Sequence, residues 1–322
     1  MIKLMNEFRL DDKEMRSYYS DALIEAGEKD MRIVAVDADV AHSMGTLPFY
    51  KRFPDRAVNC GIMEAHMVGF AAGLSAAGYV PFVHAFATFA TRRAFDQLFL
   101  AAGYQKLNVK VIGGDAGVTA SSNGGTHMPF EDLALVRAIP NFIVIEPADG
   151  SAYRQLIPYA AKTYGNFYIR STRKKTMRLY DQGTDFVVGK ANLLKKGTDV
   201  AVIACGLLVY EALMAAQTLE KEGISVRVID MFTIKPIDEE AIVRAARECR
   251  AIVTAENHNV IGGLGSAVDD VVTANFPVPV AKIGIHESFG EVGTQDYLME
   301  RFQLTSKHII VKIKEVLARK LP

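Results

Sequence analysis

The run Gly61-Ile-Met-Glu-Ala-His-Met-Val-Gly-Phe-Ala-Ala-Gly-Leu74 decides how the rest of the chain is read. From Met63 onward nearly every residue is small or apolar at helical spacing, which predicts a helix buried on most sides. Its first turn carries a single carboxylate, Glu64. Leaving a carboxylate unpaired in a dry environment costs roughly several kcal/mol, so Glu64 has to be paired, protonated or sharing a proton with a ligand. Capping its own helix N-terminus, where the dipole favours negative charge, is one account. The next segment, Phe82-Val-His-Ala-Phe-Ala-Thr-Phe-Ala-Thr-Arg-Arg-Ala-Phe-Asp-Gln97, offers another. Phe82, Phe86 and Phe89 precede a basic pair there, and a carboxylate beside an aromatic wall suits a flat nitrogen heterocycle held by stacking and one charge-assisted hydrogen bond.

On either side of this stretch, strand and helix patterns alternate. Residues 1–14 read as a polar, irregular arm, followed by a helix over 15–28. Arg32-Ile-Val-Ala-Val-Asp37 reads as a buried parallel strand. Strands at 57–60, 80–86, 109–113, 142–146 and 167–170 then alternate with helices at 63–77, 91–103, 131–138 and 150–163. Residues 172–198 are rich in charge and glycine and read as a linker. The alternation restarts at Asp199-Val-Ala-Val-Ile-Ala-Cys-Gly206, with a helix over 208–222 and a strand over 225–230. The expected fold class is therefore α/β: two doubly wound, mostly parallel sheets, in domains covering 15–171 and 199–322. Ligand crevices in such sheets lie outside the carboxyl ends of the strands, which makes Asp37, Asp39, His42 and Ser43 candidates by position. The Gly/Ser/Asn-rich stretch 113–129 is too long and too polar for a mere connector.

The 322 residues carry 37 basic and 37 acidic side chains, well interspersed, so neither a nucleic acid nor a membrane surface is indicated as a partner. Apolar runs stop well short of the ~20 residues a membrane span needs, and the N-terminus lacks a signal-peptide pattern, which gives a cytoplasmic expectation. Cys60, Cys205 and Cys249 lie far apart without metal-ligand spacing and read as reduced thiols, with no metal site expected. Two glycine motifs are decoys. Gly262-Gly-Leu-Gly265 lacks the third glycine and the acidic residue of a dinucleotide fingerprint. Gly114-Asp-Ala-Gly117 imitates the diphosphate motif of thiamine enzymes, but Ala116 replaces a glycine and Asn141 precedes a strand. No phosphate cradle is legible in the chain itself.

Taken together, Asn59-Cys-Gly-Ile-Met-Glu64, Ala87-Thr-Phe89 with Arg93-Ala-Phe-Asp-Gln97, Gly125-Thr-His-Met-Pro-Phe-Glu-Asp132, Ile139-Pro-Asn-Phe142 and Asp230-Met-Phe-Thr-Ile-Lys-Pro-Ile-Asp238 resemble the transketolase family, in order and over nearly the whole chain. The resemblance is to the C-terminal half alone, a thiamine-diphosphate pyrimidine-binding domain followed by the transketolase C-terminal domain, as found in split transketolases. It implies that Glu64 hydrogen-bonds the aminopyrimidine of thiamine diphosphate, that Phe86 and Phe89 stack on that ring, and that Asp39 and Arg92 lie near it. It further implies that Ser43, His127, Asn123 and Arg170 face the substrate, with His127 also catalytic and Arg170 holding the substrate phosphate. Two positions depart from the family pattern: Asn123 stands for a sugar-discriminating aspartate, and Asp115 for a histidine. His66, His84, His258, His286 and His308 read as structural.

The implied activity is transfer of a two-carbon ketol unit between sugar phosphates. The implied partner is an N-terminal subunit that carries the diphosphate-binding domain and Mg2+, in an assembly built on a homodimer of this chain, a heterotetramer. The alternatives are a subunit of a deoxyxylulose-phosphate-synthase-like or 2-oxoacid-decarboxylating thiamine enzyme, or a non-catalytic scaffold.

Overall fold

The computed structural model describes residues 2–181 and 183–320. The N-terminal stretch expected to be irregular is strand β1 (Leu4–Leu10). A helix, Met15–Lys29, then leads into β2 (Ile33–Asp37), β3 (Ala57–Asn59), β4 (Val80–Phe86), β5 (Lys110–Gly114), β6 (Phe142–Ile145) and β7 (Asn166–Arg170). These six strands lie parallel in the order β6-β7-β5-β4-β2-β3. β2, β5 and β7 are buried along their whole length, as central parallel strands covered on both faces are.

The predicted linker is not a free connector. It contains β8 (Met177–Tyr180), which pairs antiparallel with β1, and β9 (Asn192–Lys195). β9 is the antiparallel edge of the second sheet, whose other strands are β10 (Val200–Ala204), β11 (Val226–Asp230), β13 (Ile252–Asn259) and β14 (Val280–Ile285), in the order β14-β13-β10-β11-β9. Between β11 and β13 the chain crosses back, and β12 (Thr233–Lys235) adds antiparallel to β6 at the edge of the first sheet. The stretch Asp230–Asp238 is thus a splice between domains. Met231, Phe232 and Ile234 are buried in it, and Lys235 Nζ donates to the carbonyls of Arg137 and Ile139 at 2.8 and 2.6 Å. Asn257 makes a second tie, accepting from the Val118 N–H and donating to the Ala116 carbonyl, both at 3.0 Å.

Helix Glu64–Ala76 buries Met67, Val68, Ala71 and Ala72 against Val34, Val36, Val83 and Val111 of the first sheet. Contrary to the expectation of burial on most sides, His66, Phe70 and Gly73 are exposed on its other face. Small residues on both faces flatten the periodicity that would otherwise reveal this. Among the described residues no helix is long and apolar enough to cross a membrane.

Candidate active site at the carboxyl ends of the first sheet

Glu64 is the first residue of its helix and is almost fully buried, at 2% exposure. Its Oε2 accepts a hydrogen bond of 2.6 Å from Arg93 Nη1, so the buried charge is paired. Arg93 is itself half-exposed, and its guanidinium lies over the Phe89 ring at 4.2 Å from the centroid, a cation–π contact. Arg92, the arginine singled out from the sequence, turns away and pairs with Glu131 at 3.0 Å. The reason is local: Phe89–Arg93 and Gln97–Tyr104 form wide π-type turns in place of the predicted regular helix, which shifts the phase of adjacent side chains.

Asn59 fixes the approach to Glu64. Its Oδ1 accepts from the N–H groups of Asp39 (3.0 Å) and Gly61 (2.9 Å), and its Nδ2 donates to Asp39 Oδ1 at 2.9 Å. Asp39, with φ of +59°, is exposed at the end of β2. Asp37 lies in the interior, accepting from Thr46 Oγ1 at 2.9 Å, and burial pushes its carboxyl up.

Phe86 ends β4, and its ring centroid is 6.3 Å from that of Phe89. His127 packs edge-on against both, at 5.8 and 5.0 Å, with its Nδ1 3.0 Å from the Thr126 hydroxyl. The loop that carries His127 is seated by the second domain, since a Cβ on Gly125 would overlap the Gly290 carbonyl oxygen. Gly125→Ala is expected to destabilise the protein by about 1–3 kcal/mol through this clash. Urea unfolding measures it, and an unchanged midpoint would show that the contact between the loops carries no stability.

Beyond Phe86 the cleft becomes basic. The Arg173 guanidinium lies 5.4 Å from the Phe86 centroid, with Nε 2.6 Å from Asp115 Oδ2 and Nη2 3.3 Å from Asn123 Oδ1. The approach to Asp115 Oδ2 is a close ion pair without a directed hydrogen bond. Lys174 Nζ donates to the Ser121 hydroxyl. Ser43, on the short helix after β2, is half-buried, and its carbonyl accepts from Arg16 Nη1 at 3.0 Å. Glu64, Arg93, Phe89, His127, Phe86, Arg173 and Asp115 thus form a continuous chain of contacts, with the Glu64–Arg93 pair at one end and the Arg173–Asp115 pair at the other.

Arg170 is not part of it, and the expectation that it holds a substrate phosphate is corrected. Its side chain is fully buried, with Nε 2.7 Å from Asp132 Oδ2 and Nη1 2.7 Å from Glu146 Oε1, while Nη2 donates to the Asn257 carbonyl at 2.7 Å. Burial pushes the Asp132 carboxyl up, but the Arg170 guanidinium, His258 and the hydrogen bond from Tyr168 together outweigh it and hold the group below its ordinary range. Glu146 also accepts from Cys205 Sγ of the second domain at 3.2 Å. His258 is buried beside Asp132 and Glu256, 3.9 and 3.7 Å away, and burial lowers its pKa to about 4. The Gly262–Gly265 decoy is occupied from within, because Glu256 accepts from the N–H groups of Leu264 and Gly265, both at 2.7 Å.

Residues 11–178 match the transketolase pyrimidine-binding domain, and residues 189–309 match the transketolase C-terminal domain. The chain is 45% identical over 314 residues to a 6-deoxy-6-sulfo-D-fructose transketolase subunit of Clostridium sp. (strain MSTE9), covering 98% of each protein. It is 37% identical over 289 residues to an apulose-4-phosphate transketolase subunit of Phocaeicola vulgatus, covering 86% of this chain and 92% of that one. A solved structure described as a split gene transketolase, inactive beta4 tetramer, superposes with a TM-score of 0.89 at 40% identity, covering 97% of this chain and all of the other. The chain belongs to the transketolase family, as a C-terminal subunit of the split, thiamine-diphosphate-dependent kind.

Proposed function

We propose that Glu64 and the Phe86/Phe89 wall hold the aminopyrimidine end of thiamine diphosphate, and that a separate N-terminal subunit supplies the diphosphate-binding site and Mg2+. The observation that carries this reading is the arrangement around Glu64. A buried carboxylate and an aromatic face are already bridged by a flat, hydrogen-bonding cation, the Arg93 guanidinium. An aminopyrimidine offers the same two features, a planar π-face and a nitrogen donor, so it fits the place that Arg93 bridges.

When bound, the cofactor supplies the electron sink for transfer of the two-carbon unit. Glu64 holds a proton at a ring nitrogen, in surroundings dry enough for that hydrogen bond to bear on reactivity. Asp39 and Asn59 fix the turn before Glu64. His127, against the aromatic wall, offers an imidazole to the sugar, and Ser43 and Asn123 contribute polar groups at the rim. Arg173 and Lys174 stand ready for the anionic end of a ketose. Two relatives act, by their names, on a sulfonated and a phosphorylated sugar, and a ketose with an anionic terminus is the substrate class proposed here. The assembly proposed is a homodimer of this chain flanked by two N-terminal subunits.

Calorimetry tests the division of labour. The isolated chain with thiamine diphosphate and Mg2+ is expected to give no turnover and far weaker binding than the mixture with its N-terminal partner. Micromolar binding together with turnover by the chain alone would overturn the split-site reading.

A further inference from the structure

The basic end of the cleft carries a charge balance that discriminates among anionic groups, an inference that rests on the ketol-transfer reading above. Three cations gather there. Arg173 is paired with Asp115, Lys174 donates to the neutral Ser121 hydroxyl within the field of Asp115, and Arg16 is held by Glu14 at 2.7 Å and by the Ser43 carbonyl. Two carboxylates, Asp115 and Glu14, oppose them, so the cluster keeps one net positive charge. Asp115 is 1% exposed, so water does little to dilute its field. Its Oδ2 receives no directed hydrogen bond despite the nearby guanidinium. Asp115 (φ +54°) and Ser121 (φ +38°) both hold left-handed backbone conformations that non-glycine residues rarely adopt. Strain of this kind persists where surrounding structure enforces it, and both residues face the same basic pair.

A phosphate monoester is close to a dianion above its second pKa of about 6, whereas a sulfonate carries a single charge on a similar three-oxygen head. Either head would gain hydrogen bonds from Arg173 and Lys174, but attraction to one net positive charge grows only in proportion to the ligand's charge, whereas the cost of taking an anion out of water grows with its square, so with Asp115 present the site balances one negative charge and not two. We propose that this end of the site takes a ketose whose terminal group is a singly charged, three-oxygen anion, a sulfonate, in preference to a phosphate dianion, and that Asp115 is the discriminating residue.

The experiment uses the enzyme assembled with its N-terminal partner and compares kcat/KM for 6-deoxy-6-sulfo-D-fructose and fructose 6-phosphate, with unsubstituted fructose as a reference. The sulfonate-to-phosphate ratio is expected to be about tenfold or more at pH 8, and to shrink as pH falls through about 6 and the phosphate takes up its second proton. Asp115→Asn is expected to lower the pH 8 ratio by about tenfold, mainly through KM for the phosphate. Asn123→Asp, which places a second carboxylate on Arg173, is expected to raise it. A wild-type preference for the phosphate at pH 8, or a ratio that neither substitution moves, overturns the inference alone. Absence of transfer from all three ketoses overturns the ketol-transfer reading, and the inference with it.

Discussion

Glu64→Gln in the assembled enzyme is expected to leave the fold intact and lower kcat by roughly 10²–10⁴-fold, the usual contribution of a positioned proton-transfer group. Glutamine keeps the shape and one hydrogen-bond acceptor but cannot hold or release a proton. The fold survives because the partner left behind, Arg93, is half-exposed and can be solvated where it stands. Cofactor affinity falls little, since stacking on Phe86 and Phe89 is untouched, so the loss belongs in kcat and not in KM. Steady-state kinetics with saturating thiamine diphosphate separates the two. A variant that retains a tenth of the wild-type rate would reduce Glu64 to a helix-capping and ion-pairing group.

What the sequence could and could not deliver follows from the range of the forces involved. Continuous apolar runs specify strands from local pattern alone, and β4 lies where the run from Val80 to Phe86 places it. The placing of Glu64 at the head of its helix is equally local. Strand β1 escapes such a reading because its apolar residues neither alternate nor run together and none is fully buried, and its antiparallel partner β8 lies about 170 residues away in the chain. Choosing between Arg92 and Arg93 requires the phase of a π-type turn, which a regular helical pattern misassigns.

The choice between Arg170 and Arg173 is harder still. Both lie in Tyr168-Ile-Arg-Ser-Thr-Arg-Lys174, at the carboxyl end of a strand buried on both faces, where alternation does not say which face is the site. The groups that decide it are Asp132, Glu146 and Asn257 for Arg170, and Asp115 and Asn123 for Arg173. All of these converge only in the folded molecule, and Asn257 comes from the other domain.

Arg170→Met is accordingly expected to destabilise the protein by about 3–5 kcal/mol, the cost of removing one partner from a buried ion-pair network. Methionine fills much of the volume but leaves Asp132 and Glu146 without a cation, and removes the donor to the Asn257 carbonyl. Adding Asp132→Asn and Glu146→Gln should recover a substantial part of the loss, because the penalty is chiefly that of uncompensated buried charge. Urea unfolding of the single and triple variants tests the energetic claim. Kinetics at a temperature where Arg170→Met stays folded tests the functional one: because Arg170 touches no surface of the cleft, KM should change alike for anionic and uncharged ketoses. Arg173→Ala should raise KM selectively for the anionic ones, since it removes the guanidinium at the basic end. An Arg170→Met protein with near-normal stability and a selective rise in KM for anionic substrates would return Arg170 to the binding site and refute its assignment as the clamp between the two domains.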